Sequence, residues 1–422
     1  MIKVLLQFSV ENYGPIKNKV ILSLEPSSDK MHPENILSAS DYKALNTILV
    51  YGANASGKTS LFRAMTIALI MIRQSEIVQV TDKLPVVPFK FDHESINNPS
   101  SFEFTFVADD DKKYIYGFSA SIDKIIDEYL YVYNTSRPSL IFDRTETDQY
   151  KFPRSIKREM DLIVRRNTAN KLFLSTATSW NIDATKVAFE WLRQRIDTFT
   201  NITDMQGFAL DKYRTEKNRE YSHFTELLFK QADINISRIQ IETKEVLPEQ
   251  LNNNPFGIVF NLPPGQRHYQ YEITTSHSVV NDKGESEEYI LNLNEESLGT
   301  QQLLTFGPVL KDAFDNGKTI VIDEIDKSLH PFIVKFLINL FRDTSINTGG
   351  AQLIATTHET PILSLSTFRK DQIYFTEKNN ETGVADLYSL DEFSIRKTDN
   401  IEKGYLLGRY GAIPFPYTDE VI

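Results

Sequence analysis

The sequence has no cysteine in 422 residues. That removes a disulfide scaffold, a thiolate metal site and a cysteine nucleophile together, and it fits a reducing compartment. No run of about 20 apolar residues occurs, so no membrane-spanning helix is expected. The opening Met1-Ile-Lys-Val-Leu-Leu-Gln-Phe is too short an apolar run for a secretory leader, and Glu11 and Asn12 follow at once. A cytoplasmic location is the expectation. Positive charge is in deficit: 46 Lys and Arg against 57 Asp and Glu leave a net charge of −11. The whole molecule therefore does not attract nucleic acid, and any such contact must come from a local patch. There are no internal repeats and no sustained heptads, which excludes a long coiled coil. Against these absences stand 41% hydrophobic residues, with 27 Phe and 19 Tyr. That is enough for a sizeable core, so disorder is not the default. The length admits one large domain with insertions, or two domains.

Periodicity divides the chain. Residues 3–10 and 19–24 read as short strands around a polar turn. Asn46-Thr-Ile-Leu-Val-Tyr is β-branched and apolar, the pattern of a buried parallel strand. A glycine loop follows, then helical spacing from Lys58 to about Gln74. Residues 85–133 read as strands, with period-two alternation in Phe102-Glu-Phe-Thr-Phe and Tyr114-Ile-Tyr-Gly-Phe. From about 152 the pattern turns helical, with helices expected over 183–198 and 219–231 and a strand over 237–242. Loops are expected at 248–255 and 263–265, then two strands within 268–293. The remainder alternates again: helix 299–316, strand 319–322, helix near 331–342, strand 352–356, helix near 361–366 and strand 371–376.

Gly52-Ala-Asn-Ala-Ser-Gly-Lys-Thr fits the phosphate-loop pattern G-x-x-x-x-G-K-[ST], with a strand before it and a helix after. Gly52 and Gly57 let the backbone bend around phosphates, and amides from Asn54 to Ser56 and on to Ser60 can point at the anion. Lys58 supplies a cation for the β- and γ-phosphates, and the Thr59 hydroxyl is a magnesium ligand. Hydrolysis further requires a metal carboxylate and a group that orients water. Thr319-Ile-Val-Ile-Asp-Glu offers both: Asp323 for magnesium and Glu324 as general base. His358 ends another apolar strand, where it can contact the γ-phosphate. Glu296-Ser-Leu-Gly-Thr-Gln opens a helix. It reads equally as a second anion-binding helix N-terminus and as an ordinary N-cap at Ser297.

These four elements in this order resemble the ABC-type ATPase heads of the SMC and DNA-repair group. They resemble still more the ABC-like AAA-family ATPases of bacterial phage defence. That group includes the ATPase half of the OLD (overcoming lysogenization defect) nucleases and the stand-alone abortive-infection ATPases. Asn170-Lys-Leu-Phe-Leu-Ser, Arg369-Lys-Asp-Gln-Ile-Tyr-Phe and Tyr405-Leu-Leu-Gly-Arg-Tyr-Gly also look like the stand-alone group. The resemblance implies an α/β fold, a P-loop NTPase of ABC/SMC-head type. It would have an N-terminal β-rich subdomain and a mixed helical/β insertion between Walker A and signature. By the same resemblance, Ser297, Gly299, Thr300 and Gln301 are the ABC signature, which binds the γ-phosphate held by the other subunit. Asp326 to His330 is the D-loop and His358 the switch histidine. The Q-loop glutamine has two candidates, Gln74 and Gln79. Leu298 after the signature serine and Thr300 after its glycine depart from the transporter form and argue against a transporter subunit.

The implied division is 1–150 as N-terminal ATPase lobe, 151–290 as inserted module and 291–422 as C-terminal lobe. ATP and Mg2+ are the implied ligands, and an ATP-sandwiched homodimer, or a larger assembly, the implied state. Two functions stay in view. One is a sensor or scaffold of an antiphage system that controls a separate toxin or Toprim-type nuclease. The other is an SMC-like repair or recombination ATPase acting on DNA. Lys151 to Lys171 is locally basic, through Lys151, Arg154, Lys157, Arg158, Arg165, Arg166 and Lys171. It reads as a solvated helix face or as a contact for nucleic acid or an acidic partner.

Overall fold

The computed structural model describes residues 2–246 and 268–414. The chain divides into two compact units. The first comprises Met1–Thr200, Asn316–Ile325 and Ile338–Ile422; the second comprises Asn201–Asp315 and Asp326–Leu337. The loops expected at 248–255 and 263–265 lie outside the described residues.

Two large sheets build most of the first unit. One has six strands in the order Ile196–Phe199, Thr319–Ile322, Gln352–Thr356, Thr47–Gly52, Ile373–Lys378, Ala385–Ser389. The first five run parallel and the last is antiparallel. Thr47–Gly52 sits between two neighbours and every one of its residues is buried, which is why it reads as a continuous apolar run rather than an alternation. The second sheet is a seven-stranded antiparallel meander of which Val4–Glu11, Val20–Ser23 and the four strands from Ser100 to Thr145 form the bulk. Buried Gln352 joins the sheets: its side chain accepts from the Leu5 N–H at 2.7 Å and donates to the carbonyls of Leu5 and Leu45. Arg369, fully buried, pairs with Asp371 and donates to the Met31 carbonyl, while Gln372 bonds Asn35 and Thr47. The Arg369-Lys-Asp-Gln run thus clamps the chain before the phosphate loop to the sheet.

The second unit contains helices Ile202–Tyr213 and Asn218–Gln231, a three-stranded antiparallel sheet and most of helix Leu298–Asn316. Gly307 of that long helix meets Thr225 so closely that a Cβ there would lie 1.8 Å from the Thr225 Oγ1.

Several expectations need correction. The helix expected over 183–198 stops at Gln194, and Ile196–Phe199 is instead the edge strand of the six-stranded sheet. Its β-branched Ile196 and Thr198 suit a pleated, half-buried surface. The helix expected near 361–366 is a single turn of 3-10 helix, Thr360–Ile362. There the Ser364 hydroxyl accepts from the Ser366 N–H, a local bond that competes with helical ones. Residues 85–99 form no strand and hold only the short turn Ser95–Asn97. Strands Pro138–Thr145 and Gln149–Lys151, the hairpin Ile36–Ala39 with Tyr42–Leu45, and helix Ile202–Tyr213 were not expected.

Candidate functional site

The strand Thr47–Gly52 ends at the glycine that opens the loop, and helix Lys58–Gln74 begins six residues on. Gly57 caps the helix at φ 115°, a region that favours glycine, and a Cβ there would lie 2.9 Å from that of Ala385. The N-cap residue Gly57 makes no side-chain cap hydrogen bond, and a helix N-terminus is a favourable place for an anion. Lys58 is buried and its Nζ donates to the carbonyls of Gly52 at 2.7 Å and Ala53 at 3.0 Å. Ser56 is also buried, its hydroxyl 2.6 Å from that of Thr376 on the next strand.

Strand Thr319–Ile322, buried throughout, delivers Asp323 and Glu324 to the same edge of the sheet. Asp323 is half-buried and Glu324 exposed. Glu324 has φ 54°, a left-handed conformation that costs a residue with a Cβ about 1–2 kcal/mol. Thr356, at the end of the neighbouring strand, holds both carboxylates' residues. Its hydroxyl accepts from the Glu324 N–H at 2.7 Å and donates to Asp323 Oδ1 at 2.6 Å. Sequence reasoning missed Thr356. Its only signal is a hydroxyl two positions before His358, and its role follows from the parallel pairing of the two strands.

Asn54, Ser56, Gly57, Lys58, Thr59 and Ser60 line one cavity of about 460 Å³ together with Glu324 and His358. Gly52 and Asp323 are not among the lining residues; Gly52 accepts from Lys58, and Asp323 accepts from Thr356. Four further stretches of the wall were not read from the sequence: Gly14-Pro15, Val87-Pro88, Lys90-Phe91 and Lys378. Gln74 and Gln79 are both exposed and neither lines the cavity. Among the described residues no cluster of three or more His, Asp or Glu side chains could hold a metal ion by itself. A divalent cation here would rest on Thr59, Asp323 and the phosphate oxygens of a bound nucleotide. The residues fit that role, because Thr59 lines the cavity and Asp323 is already oriented by a second group.

The segment Ser297–Gln301, expected as a signature, belongs to the second unit. Ser297 precedes helix Leu298–Asn316 and its Oγ accepts from the Thr300 N–H at 3.1 Å, the geometry of an N-cap. Gln301 donates to the Glu296 carbonyl at 2.9 Å. A Cβ on Gly299 would approach the Ser328 carbonyl to 3.0 Å, so the glycine permits close packing on the 326–330 loop. The basic stretch is an exposed surface around helix Lys157–Val164, with Arg166 lying 3.9 Å over the ring of exposed Trp180.

Residues 48–366 match the family described as "AAA domain, putative AbiEii toxin, Type IV TA system". The chain belongs to this family. It is therefore a P-loop ATPase of the AAA class, with a mixed α/β fold. No curated protein matches. Among solved structures, an SMC head domain from Thermotoga maritima is 11% identical and spans 91% of this chain and 98% of that one, at a TM-score of 0.39. The Smc head of Pyrococcus furiosus, bound to the C-terminal domain of ScpA, is 11% identical over 97% and 99%, at 0.40. The recombination mediator RecF with ATP is 13% identical over 92% and 98%, at 0.39. At these TM-scores the likeness carries no argument about this AAA-family chain; its own strand order and loop geometry do. Among the described residues no helix is long and apolar enough to cross a membrane.

Proposed function

We propose that this chain binds and hydrolyses Mg2+-ATP as an ABC-type head, and that it is the sensing or holding half of an antiphage system acting on a separate toxin or nuclease. One observation carries the hydrolytic reading: the phosphate loop, Glu324 and His358 line the same cavity. Lys58 turns from the Gly52 and Ala53 carbonyls to the β- and γ-phosphates. Gly52, Asn54, Ser56, Gly57, Thr59 and Ser60 form the cradle. Glu324 takes the proton of the attacking water, and His358 contacts the γ-phosphate. Bound Mg2+, on Thr59 and Asp323, would neutralise charge on the phosphates. Ser297, Gly299, Thr300 and Gln301 of a second copy cap the γ-phosphate in this proposal, so ATP joins two heads. The family's description, "putative AbiEii toxin, Type IV TA system", supports a toxin–antitoxin context, and the separate effector is this proposal's own addition.

Phosphate release tests the core of this reading. Glu324→Gln is expected to lower turnover about 10²–10⁴-fold while ATP still binds. Normal turnover in that variant would remove the general-base assignment.

A repair ATPase acting on DNA is the second reading, favoured by the exposed arginines and the Arg166–Trp180 stack. DNA-stimulated hydrolysis, lost on reversing charge at Arg165 and Arg166, would give that reading the lead.

A further inference from the structure

The cavity has a second wall that the phosphate chemistry leaves unused: Pro15, Val87, Pro88, Lys90, Phe91 and Lys378. Resting on the nucleotide reading above, we infer that this wall is the subsite for the nucleobase, and that the Phe91 ring is the surface on which the base stacks.

Direction comes first. Glu324 and His358 mark the γ-phosphate end, so the nucleoside leaves at the opposite end, past the first turn of the helix. A Cβ on Gly14 would lie 3.8 Å from that of Ser60, and one on Gly57 would lie 3.8 Å from Pro15 Cγ. The Gly14-Pro15 turn therefore adjoins the first helical turn. The Gly14 N–H donates to the Val87 carbonyl at 2.7 Å, which brings the 87–91 segment to the same place.

That segment is fixed rather than loose. The Phe89 N–H donates to Asn12 Oδ1 at 3.0 Å, and Asp92 pairs with Lys17 at 2.7 Å and accepts from the Ser95 hydroxyl. Phe89 is buried. Phe91 between these anchors is 73% exposed. Its ring stands edge-on to Phe89, with centroids 5.6 Å apart at 87°. It also packs over Gly383, where a Cβ would lie 2.5 Å from the ring. Gly383 has φ 70° in the turn after Lys378, so the glycine serves both the turn and the ring's seat. An aromatic ring is thus held in place on a cavity wall with open surface toward the cavity. A planar base is the ligand that matches it, since stacking needs only a π-face. Lys90 and Lys378 beside it suit the sugar–phosphate junction.

Calorimetric titration with Mg2+-ATP and, separately, with inorganic tripolyphosphate tests the subsite. Phe91→Ala is expected to weaken ATP binding about tenfold, leave tripolyphosphate unchanged, and be rescued by Phe91→Tyr. Lys58→Ala weakens both ligands. If Phe91→Ala binds ATP as wild type does, or loses ATP and tripolyphosphate equally, the stacking assignment is overturned. If wild type binds neither ligand, the nucleotide reading itself fails, and with it the subsite.

Discussion

Two residues of the cavity region hold left-handed backbone without being glycine, Ala55 at φ 63° and Glu324 at φ 54°. Such conformations persist where the surroundings over-determine them, and they gather at functional sites. For Glu324 the surrounding is Thr356, whose single hydroxyl receives the Glu324 N–H and donates to Asp323. Thr356→Val keeps the shape and removes the hydroxyl. It leaves a backbone N–H without its acceptor and a carboxylate without its orienting donor. By analogy with groups that orient metal ligands, a loss of about 10–100-fold in hydrolysis is expected, together with a higher Mg2+ concentration for half-maximal rate. Thr356→Ser is expected to restore both. An unchanged Mg2+ dependence in the valine variant would show that Thr356 supports the strand and not the metal carboxylate.

At the scale of elements, helix Phe173–Ser179 is capped from a distant strand. Leu172 at its N-cap position offers no side-chain hydrogen bond. The Glu128 carboxylate, fully buried, accepts from the Phe173 N–H at 2.6 Å and the Leu174 N–H at 2.8 Å instead. Buried Arg144 lies 3.6 Å away and donates to the carbonyls of Thr147, Ala169 and Lys171. Glu128→Ala uncaps the helix and strands the guanidinium, which is expected to cost about 3–5 kcal/mol in chemical denaturation. Burial raises the Glu128 pKa above its ordinary 4.5, against the opposing pull of Arg144 and the two N–H groups. A raised folded value means that this group's stabilisation is full below the unfolded value and declines as pH climbs through the folded one. The gap between wild type and Glu128→Ala should therefore narrow as pH rises from the ordinary 4.5 through the raised folded value. This cap also explains what was legible beforehand. The Asn170-Lys-Leu-Phe-Leu-Ser run was visible, but its partner 45 positions earlier in the chain was not. Likewise the phosphate loop and the Asp323-Glu324 pair are local patterns, each readable from a strand and the few residues after it. Thr356, Phe91 and the edge strand Ile196–Phe199 acquire their places only from pairing and packing with distant chain. Local periodicity carries no information about those.

For the whole molecule, the proposed hydrolysis needs a group that would complete the Glu324–His358 end of the cavity. The cavity's lining comes from the first unit alone, and Glu324 and His358 are exposed. The second unit carries the helix Leu298–Asn316, whose start is the proposed signature, with Leu298 70% exposed, and Phe332 78% exposed after the 326–330 loop. Two large exposed apolar side chains, Leu298 at the N-capped helix start and Phe332 in the helix Pro331–Leu340, have the character of interface anchors, more than of ordinary surface. In the proposed sandwich a second copy would supply the matching surface, each copy offering the cavity to the other's Ser297–Gln301 segment, the reciprocal pattern of a two-fold interface. ATP would then be the ligand that shifts the population toward the closed pair. Glu324→Gln, which should retain ATP, is expected to sediment as a monomer without nucleotide and as a dimer with Mg2+-ATP. Adding Phe332→Glu should reduce the dimer fraction at least tenfold at fixed protein concentration, with ATP affinity unaltered. If Glu324→Gln stays monomeric while saturated with ATP, the sandwich is wrong, and the signature residues revert to a plain helix cap. If dimers form and a tagged sample from the native host also brings down a stoichiometric toxin or nuclease, the holding role gains its partner. DNA without a protein would turn attention to Arg165, Arg166 and Trp180 instead.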